Sequence, residues 1–302
     1  MLKRRIRRVL TALRLESLYT VWHWLAAWDP RRLRRRALFD EWNRGAGTDA
    51  IVVRPGLRLA IDPRSREPFE WFCFRSLEMC REFDAFCREM AASRCFLDAG
   101  ACHGIFSLAF AHGRPDVLAL AIEPSPIAHE ILIGNVGRNG LANVIPRQIA
   151  AGSAAGRLRM RQVWHHLEAM AEGEVGEGTV EVPVRTLDDL CEELAFEPDL
   201  MKIDVEGYEL AALQGARGIL TQYRPRLLLE LHPTRLRELG GSLGEVVDLL
   251  EGLGYRFFDL GGAPLSGGEV AHKESNCRLL AAPAIGTDPT AAAGGAAGAS
   301  AS

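Results

Sequence analysis

Asp98, Glu123, Lys202, Asp204, Glu206, Glu230 and His232 are spaced as a reaction centre requires, each at or next to the end of a short apolar run that reads as a β-strand. Asp98 closes the run Cys95-Phe96-Leu97 and is followed by Gly100 and Gly104 in a strand-turn-helix pattern. Gly100 lets the backbone turn tightly and come close to a ligand, and Gly104 allows close packing where the helix begins. Dinucleotide folds carry Gly-x-Gly-x-x-Gly here, presenting amides to a pyrophosphate. Gly-x-x-x-Gly behind an acid suits instead a ligand with an ammonium group and no phosphate. Glu123, 25 positions after Asp98, ends the next apolar run, and Pro124 stops that strand. An acid in this position can accept both hydroxyls of a ribose. Ala101, Cys102, Pro124 and Ala150 complete the expected cofactor contacts.

A second group follows 80 residues on. The run 200–204 leads into Asp204-Val205-Glu206-Gly207, and the run 226–231 into Glu230-Leu231-His232. Side chains two apart on a strand share a face, which pairs Lys202 with Asp204 and Glu230 with His232. Three carboxylates and an imidazole on one rim imply a Lys202 counter-charge, a raised carboxyl pKa or a bound divalent cation. His232 is the first candidate for a general base, since imidazole titrates near neutrality; its alternative role is to orient its neighbours or cap a helix. Asp204 and Glu206 are expected to position an acceptor or, with Glu230 and His232, a metal ion, though no resident metal is expected. Glu209 reads either as part of this group or as an acid favoured in the first turn of a helix.

These residues need a frame that gathers strand ends. Strands are expected at 95–98, 117–122, 143–149, 200–204, 226–231, 255–259 and 277–281, and helices at 104–112, 125–138, 186–195, 208–221 and 243–253. Short apolar strands alternating with amphipathic helices predict an α/β, Rossmann-like domain over 95–282: a mainly parallel seven-stranded sheet with helices on both faces. Ligands in such sheets bind beyond the carboxyl ends of the strands, where the strand order reverses. Two further strands, 157–163 and 179–184, flank a Gly- and Glu-rich stretch containing His165 and His166, a natural place for substrate selection.

Residues 37–94 form a preamble with a short β stretch (51–53, 57–61) and a helix over 68–90. Residues 1–36 form a basic amphipathic helical arm with 11 Lys or Arg against two acids, which leaves 25 basic and 37 acidic residues in the remainder. The acidic body argues against nucleic acid as a partner. The arm is expected to pack on the catalytic domain or on a second copy in a homodimer, or to touch an anionic membrane surface. No uncharged run reaches the roughly 18 residues of a membrane span, and the apolar stretch 17–28 reads as a retained segment. Residues 283–302 are an Ala/Gly-rich tail expected to be disordered. The seven cysteines form no Cys-x-x-Cys pair, and Cys73, Cys80 and Cys87 read as small apolar fillers on one helical stripe. Reduced thiols place the expected compartment in the cytoplasm, with peripheral contact at the inner membrane face as an extension.

Read in order, Asp98-x-Gly-x-x-x-Gly104, Phe106-Ser107-Leu108, Ile122-Glu123-Pro124-Ser125-Pro126, Asn135-x-x-x-Asn139-Gly140, Val182-Pro183-Val184-x-Thr186-Leu187-Asp188-Asp189-Leu190 and Lys202-Ile203-Asp204-Val205-Glu206-Gly207-x-Glu209 resemble the FkbM-type S-adenosylmethionine-dependent methyltransferases. The resemblance covers about residues 95–260, and its last two blocks are the most specific. One departure is that the family usually carries Asn and an aliphatic residue where this chain has Cys102 and His103. The resemblance implies a class I methyltransferase fold, S-adenosylmethionine as cofactor, and O-methylation of a hydroxyl on a saccharide, glycolipid or secondary metabolite. An alcohol is a poor nucleophile until its proton is removed or a metal binds its oxygen, which is the task the second group of residues suits. The competing readings are a nicotinamide-dependent oxidoreductase, disfavoured by the Gly-x-x-x-Gly turn, and a catalytically silent binding protein, disfavoured by the retained acids and His232.

Overall fold

The computed structural model describes residues 29–163, 166–170 and 178–284. Residues 1–28, 164–165, 171–177 and 285–302, His165 among them, lie outside this range, and with them most of the expected basic arm and of the expected Ala/Gly-rich tail. Helix α1 (Pro30–Trp42) starts where Asp29 accepts the Arg31 amide at 2.9 Å, with Pro30 at the first helical position. It therefore runs through position 36, where the basic arm was expected to end. Strands β1 (Ala50–Arg54) and β2 (Leu57–Ala60) form an antiparallel hairpin.

Helix α2 (Arg66–Glu70) passes through a π turn, Trp71–Arg75, before α3 (Leu77–Glu89). The single helix expected over 68–90 is interrupted because Ser76 takes extended backbone and its hydroxyl accepts the Met79 amide, capping α3 anew. Cys73, Cys80 and Cys87 are buried thiols whose pKa values burial pushes up, as apolar fillers require.

The main unit alternates β3 (Cys95–Ala99), α4 (Ile105–Ala111), β4 (Leu118–Ile122), α5 (Pro126–Arg138) and β5 (Val144–Arg147). An insertion of β6 (Ala150–Ala151), β7 (Gly156–Val163), β8 (His166–Ala169) and β9 (Thr179–Arg185) follows. The chain then continues through α6 (Leu187–Leu194), β10 (Leu200–Ile203), α7 (Glu209–Gln214), α8 (Arg217–Gln222), β11 (Arg226–Leu231), α9 (Pro233–Glu238) and α10 (Leu243–Gly252). It closes with β12 (Tyr255–Phe258), β13 (Pro264–Leu265), α11 (Gly267–Ala271) and β14 (Cys277–Pro283).

The central sheet has the order β13-β12-β14-β11-β10-β3-β4-β5. Strands β11, β10, β3, β4 and β5 pair in parallel, and β14 inserts antiparallel between β11 and β12. The sheet has eight strands where seven were expected, the extra one being the two-residue edge β13. The strand expected over 143–149 stops at Arg147, and Ala150–Ala151 pairs with β9 in a separate sheet of order β6-β9-β7-β8. In that sheet β8 pairs antiparallel with β7, inside the Gly- and Glu-rich stretch where no strand was expected. The helix expected over 208–221 is two helices, because Gly215 lies against the Gly152 carbonyl so closely that a Cβ would overlap it.

Alternation along the strands sorts the residues into two faces. Leu97, Ala99, Met201, Ile203, Leu229 and Leu231 face one core. Phe96, Leu200, Leu228 and Leu280 face the other, beneath the preamble. By the same alternation Asp98, Lys202, Glu230 and Arg278 belong to the preamble face, and Lys202 pairs in register with Asp98 as Glu230 does with Arg278. A sheet face carrying that charge needs a matching cover.

The cover is held on by two asparagines, Asn135 within α5 and Asn139 capping its C-terminal end. Asn139 accepts the Ala60 amide at 2.9 Å and donates to the Ala60 carbonyl at 2.6 Å. Asn135 accepts the Asp62 amide at 2.6 Å and donates to Ser65 Oγ and the His103 carbonyl, both at 2.9 Å. Among the described residues no helix is long and apolar enough to cross a membrane.

Candidate functional site

A cavity of about 280 Å³ opens at the carboxyl ends of β3, β4, β10 and β11, where the strand order reverses about β3. Gly100, Cys102, Glu123, Pro124 and Ala150 of the expected cofactor set line it. Gly100 has φ +85, and its close approach is to the chain itself: a Cβ would overlap the Asp204 carbonyl oxygen, so the turn after β3 is locked to the end of β10. Gly104 lies away from this cavity and lets α4 begin against Leu132 of α5. Ala101 faces a smaller recess shared with His103, Phe106 and Lys202.

Glu123 is 3% exposed, yet both its oxygens are held: Oε2 accepts the Cys102 amide at 2.7 Å and Oε1 the Ser125 amide at 2.8 Å. Burial pushes its carboxyl up to about 7, against those two amides and with the charges of Asp98 and Asp204 adding to the rise. Each oxygen keeps acceptor capacity toward the cavity. Cys102 adopts φ 49, a left-handed conformation that Asn tolerates better than Cys. That accounts physically for the Asn usual at this position.

Asp98 is placed differently from the expectation. It is fully buried and absent from the cavity wall, and its Oδ2 accepts the Ser107 hydroxyl at 2.6 Å. The ammonium beside it is that of Lys202, not a ligand's, and burial pushes its carboxyl up despite that cation. A sequence shows that a strand ends in an acid, but not that the acid is turned under the preamble.

The ends of β10 and β11 carry a charge network. Lys202, 1% exposed, donates to Asp204 Oδ2 at 2.8 Å, lies 3.8 Å from Glu82 and stands 4.8 Å over the Phe106 ring. Burial works against its charge, but Asp204 foremost, then Glu82, Asp98 and Glu230, hold the proton on. Burial would raise the Asp204 carboxyl, and Lys202 above all keeps it below the usual range. Arg278 donates to Glu82 at 2.7 Å and to Glu230 Oε1. Burial and the neighbouring Asp204 and Glu82 raise Glu230 to about 9 in spite of Arg278. Both Asp204 and Glu230 line the cavity, and neither Asp204 Oδ1 nor Glu230 Oε2 has a hydrogen bond among the described residues.

His232 stands behind this rim. Its Nδ1 meets Glu209 Oε1 at 2.7 Å, and its Nε2 lies 3.4 Å from Glu206 and 3.6 Å from Glu230. It is not part of the cavity wall. Burial would strip its proton, but the bond to Glu209 and the surrounding carboxylates raise it to about 9. The imidazole is thus held toward its charged form, with Glu209 at one ring nitrogen and Glu206 and Glu230 facing the other, which fits orienting its neighbours and not the general-base role expected of it. Glu209 is more than a first-turn acid: its Oε1 also accepts the Gly207 amide at 2.7 Å, tying His232 to the turn after β10. Glu206 lines the cavity with φ 51, the kind of backbone strain that collects at functional sites.

Glu82, Arg278, Phe72 and Met79 were missed from sequence; all but Glu82 line the cavity. The available signal was charge where apolar residues belong. Glu82 sits beside Phe83 and Phe86 on the buried side of α3, and Arg278 is the lone cation in the apolar strand β14.

Residues 98–257 match the family model of the methyltransferase FkbM domain. Methyltransferase sdnD of Sordaria araneosa is 29% identical, over 39% of this chain and 59% of that protein. The crystal structure of methyltransferase FkbM from Methylobacillus flagellatus KT shares 22% identity at a TM-score of 0.40, covering 62% of this chain and 43% of that one. StiE O-MT, residues 961–1257, shares 12% at a TM-score of 0.42, covering 78% and 81%. The chain thus spans less than two thirds of the length of the first two relatives. The matched segment holds every strand-end residue described above except Arg278 and extends over more than half the chain, which therefore belongs to the FkbM methyltransferase family.

Proposed function

We propose that this chain transfers a methyl group from S-adenosylmethionine to a hydroxyl oxygen of a saccharide, glycolipid or secondary metabolite. The observation that carries the reading is the placement of Glu123 on one side of a single cavity and of Asp204 and Glu230 on the other. The residues present suit the cofactor. Glu123 is pinned by two amides and keeps an acceptor lone pair on each oxygen for the two ribose hydroxyls. Pro124, Ile149 and Ala150 supply apolar wall beyond it for a base. When bound, S-adenosylmethionine supplies an electrophilic methyl group.

The chain's own residues then position the acceptor and handle its proton. Asp204, kept ionised by Lys202, orients the hydroxyl. Glu230, whose pKa is raised toward the working range, takes the proton on Oε2 while Arg278 and His232 hold Oε1. Phe72 and Met79 of the preamble and Tyr208 add apolar wall for the body of the acceptor.

Calorimetry checks the cofactor. S-adenosylhomocysteine is expected to bind and NAD not to, and Glu123→Ala should cost about 1.5–3 kcal/mol of S-adenosylhomocysteine affinity. Binding of NAD alone would overturn the assignment.

A second reading rests on one observation: ligand atoms of Asp204, Glu230 and His232 all lie within 4.8 Å of one another, a spacing a divalent cation could bridge. Lys202 and Arg278 already neutralise two of those groups, which favours the metal-free reading. Turnover is therefore expected to survive a chelator. Loss of activity restored by magnesium or manganese would establish the metal route.

A further inference from the structure

A second cavity, of about 480 Å³, lies between α1 and the preamble and shares no lining residue with the first. Arg31, Arg34 and Arg35 of α1, at helix spacings of three and four, line it together with Arg54 beside the β1–β2 turn and Arg81 of α3. Trp42, Phe74 and Leu77 give it apolar wall. Asp84 is the one acid among the lining residues, and Arg35 takes it while also donating to the Cys73 carbonyl at 3.0 Å. Arg31 is bound to Asp29 at 2.8 Å. Arg34, Arg54 and Arg81 are exposed and no carboxylate lies within salt-bridge distance of them among the described residues; Arg54 meets the Cys87 side chain, and Arg81 feels Asp259 only at longer range.

Three guanidiniums turned on one opening repel one another until an anion joins them, and their forks match phosphate oxygens. An apolar wall beneath a cationic rim suits a ligand that is anionic at one end and hydrocarbon next to it. Two of the four large apolar side chains exposed among the described residues, Leu33 (45%) on α1 and Trp71 (46%) on the π turn, belong to elements that line this cavity. A membrane surface would cover such residues.

We propose that this cavity binds the headgroup of an anionic phospholipid. Arg34, Arg54 and Arg81 hold the phosphate, and the methylenes nearest the glycerol lie on Trp42, Phe74 and Leu77. The site is separate from the methyl-transfer cavity, so it stands or falls independently of the cofactor assignment.

The test uses the full chain and dihexanoyl phosphatidic acid, a soluble lipid that binds by its headgroup without a membrane surface potential. Calorimetry should show binding that R34E/R54E/R81E weakens about a hundredfold, because basic residues dominate attraction to anionic lipid. Reversing as many charges in the arm, R4E/R5E/R8E, should leave it within a few-fold. Vesicles of phosphatidylcholine with phosphatidic acid should co-sediment the parent protein, and vesicles of phosphatidylcholine alone should not. All three cavity arginines are exposed, so the variant should keep the parent's circular dichroism and S-adenosylhomocysteine affinity. If inorganic phosphate binds as tightly as the lipid, the cavity is a free-anion site. If the arm variant loses lipid and the cavity variant keeps it, the arm is the contact. Either result overturns the proposal.

Discussion

Glu230→Gln is expected to lower kcat about a thousandfold for any hydroxyl acceptor the parent enzyme methylates, the scale of an essential general base. Its affinity for S-adenosylhomocysteine should change less than tenfold, because Glu230 lies on the acceptor side of the cavity and Glu123 on the cofactor side. A group that acts in the transition state shows itself as lost turnover without matching loss of ground-state binding. The pH profile is the more specific readout. Burial raises Glu230 to about 9, and only its ionised form accepts a proton, so kcat/KM should climb with pH from about 6 toward 9. His232 is also raised to about 9, so the imidazolium that helps hold Glu230 is lost above that range and the climb should end there. In Glu230→Gln the rising limb should vanish. If turnover stays within tenfold of the parent with the limb intact, the proton goes to Asp204 instead.

Lys202→Met should cost about 3–5 kcal/mol of stability, the usual penalty for breaking a buried ion pair from one side. The loss reaches beyond Asp204, since Glu82 and Asp98 also face this ammonium from positions with 0% exposure. Urea unfolding measures it, and the pH dependence gives it a second signature. Without Lys202 the carboxyls of Glu82 and Asp98 rise further above their unfolded values and Asp204 loses what holds it below its own, so the folded state takes up more protons than before. Its stability must then fall as pH rises past the unfolded carboxylate range near 4. The destabilisation should accordingly be smaller at pH 5 than at pH 8. Lys202→Met/Asp204→Asn should recover part of the loss. A cost below about 1 kcal/mol at pH 8 would show that these carboxyls are already protonated in the parent.

The fold was legible where chemistry and geometry share a residue. Strand ends carry both the acid and the apolar run before it, so the positions of Glu123, Asp204 and Glu230 at one cavity followed from spacing. Facing was only partly legible. Alternation correctly paired Lys202 with Asp204, but nothing local says that Asp98 points at Lys202 and not at a ligand, because that depends on which strand becomes the neighbour of β3. His232 was misjudged for a related reason: the carboxylates that lift its pKa against burial, Glu209 first and then Asp204 and Glu206, come from α7 and the turn after β10, and not from its own strand. The break at Ser76 was missed because an amphipathic pattern continues on both sides of it. The pairing of β8 with β7 could not be read because no sharp turn sequence marks it.

Asn135 in α5 and Asn139 at its end have a consequence for how specificity can change. Asn139 grips the preamble by the amide and carbonyl of Ala60, and Asn135 by the amide of Asp62. These are main-chain handles, identical whatever side chains the preamble bears. The seat is therefore blind to the cargo: a hairpin and helix with other residues at Phe72 and Met79 would dock into the same socket and reshape the acceptor wall. Socket and strand-end acids both lie within residues 98–257, whereas Phe72, Met79, Glu82 and Arg278 lie outside. The cavity is in effect a fixed jaw with an interchangeable opposing one. Exchanging the preamble between relatives, with the partner of Glu82 on β14 carried along, is the transplant this architecture permits.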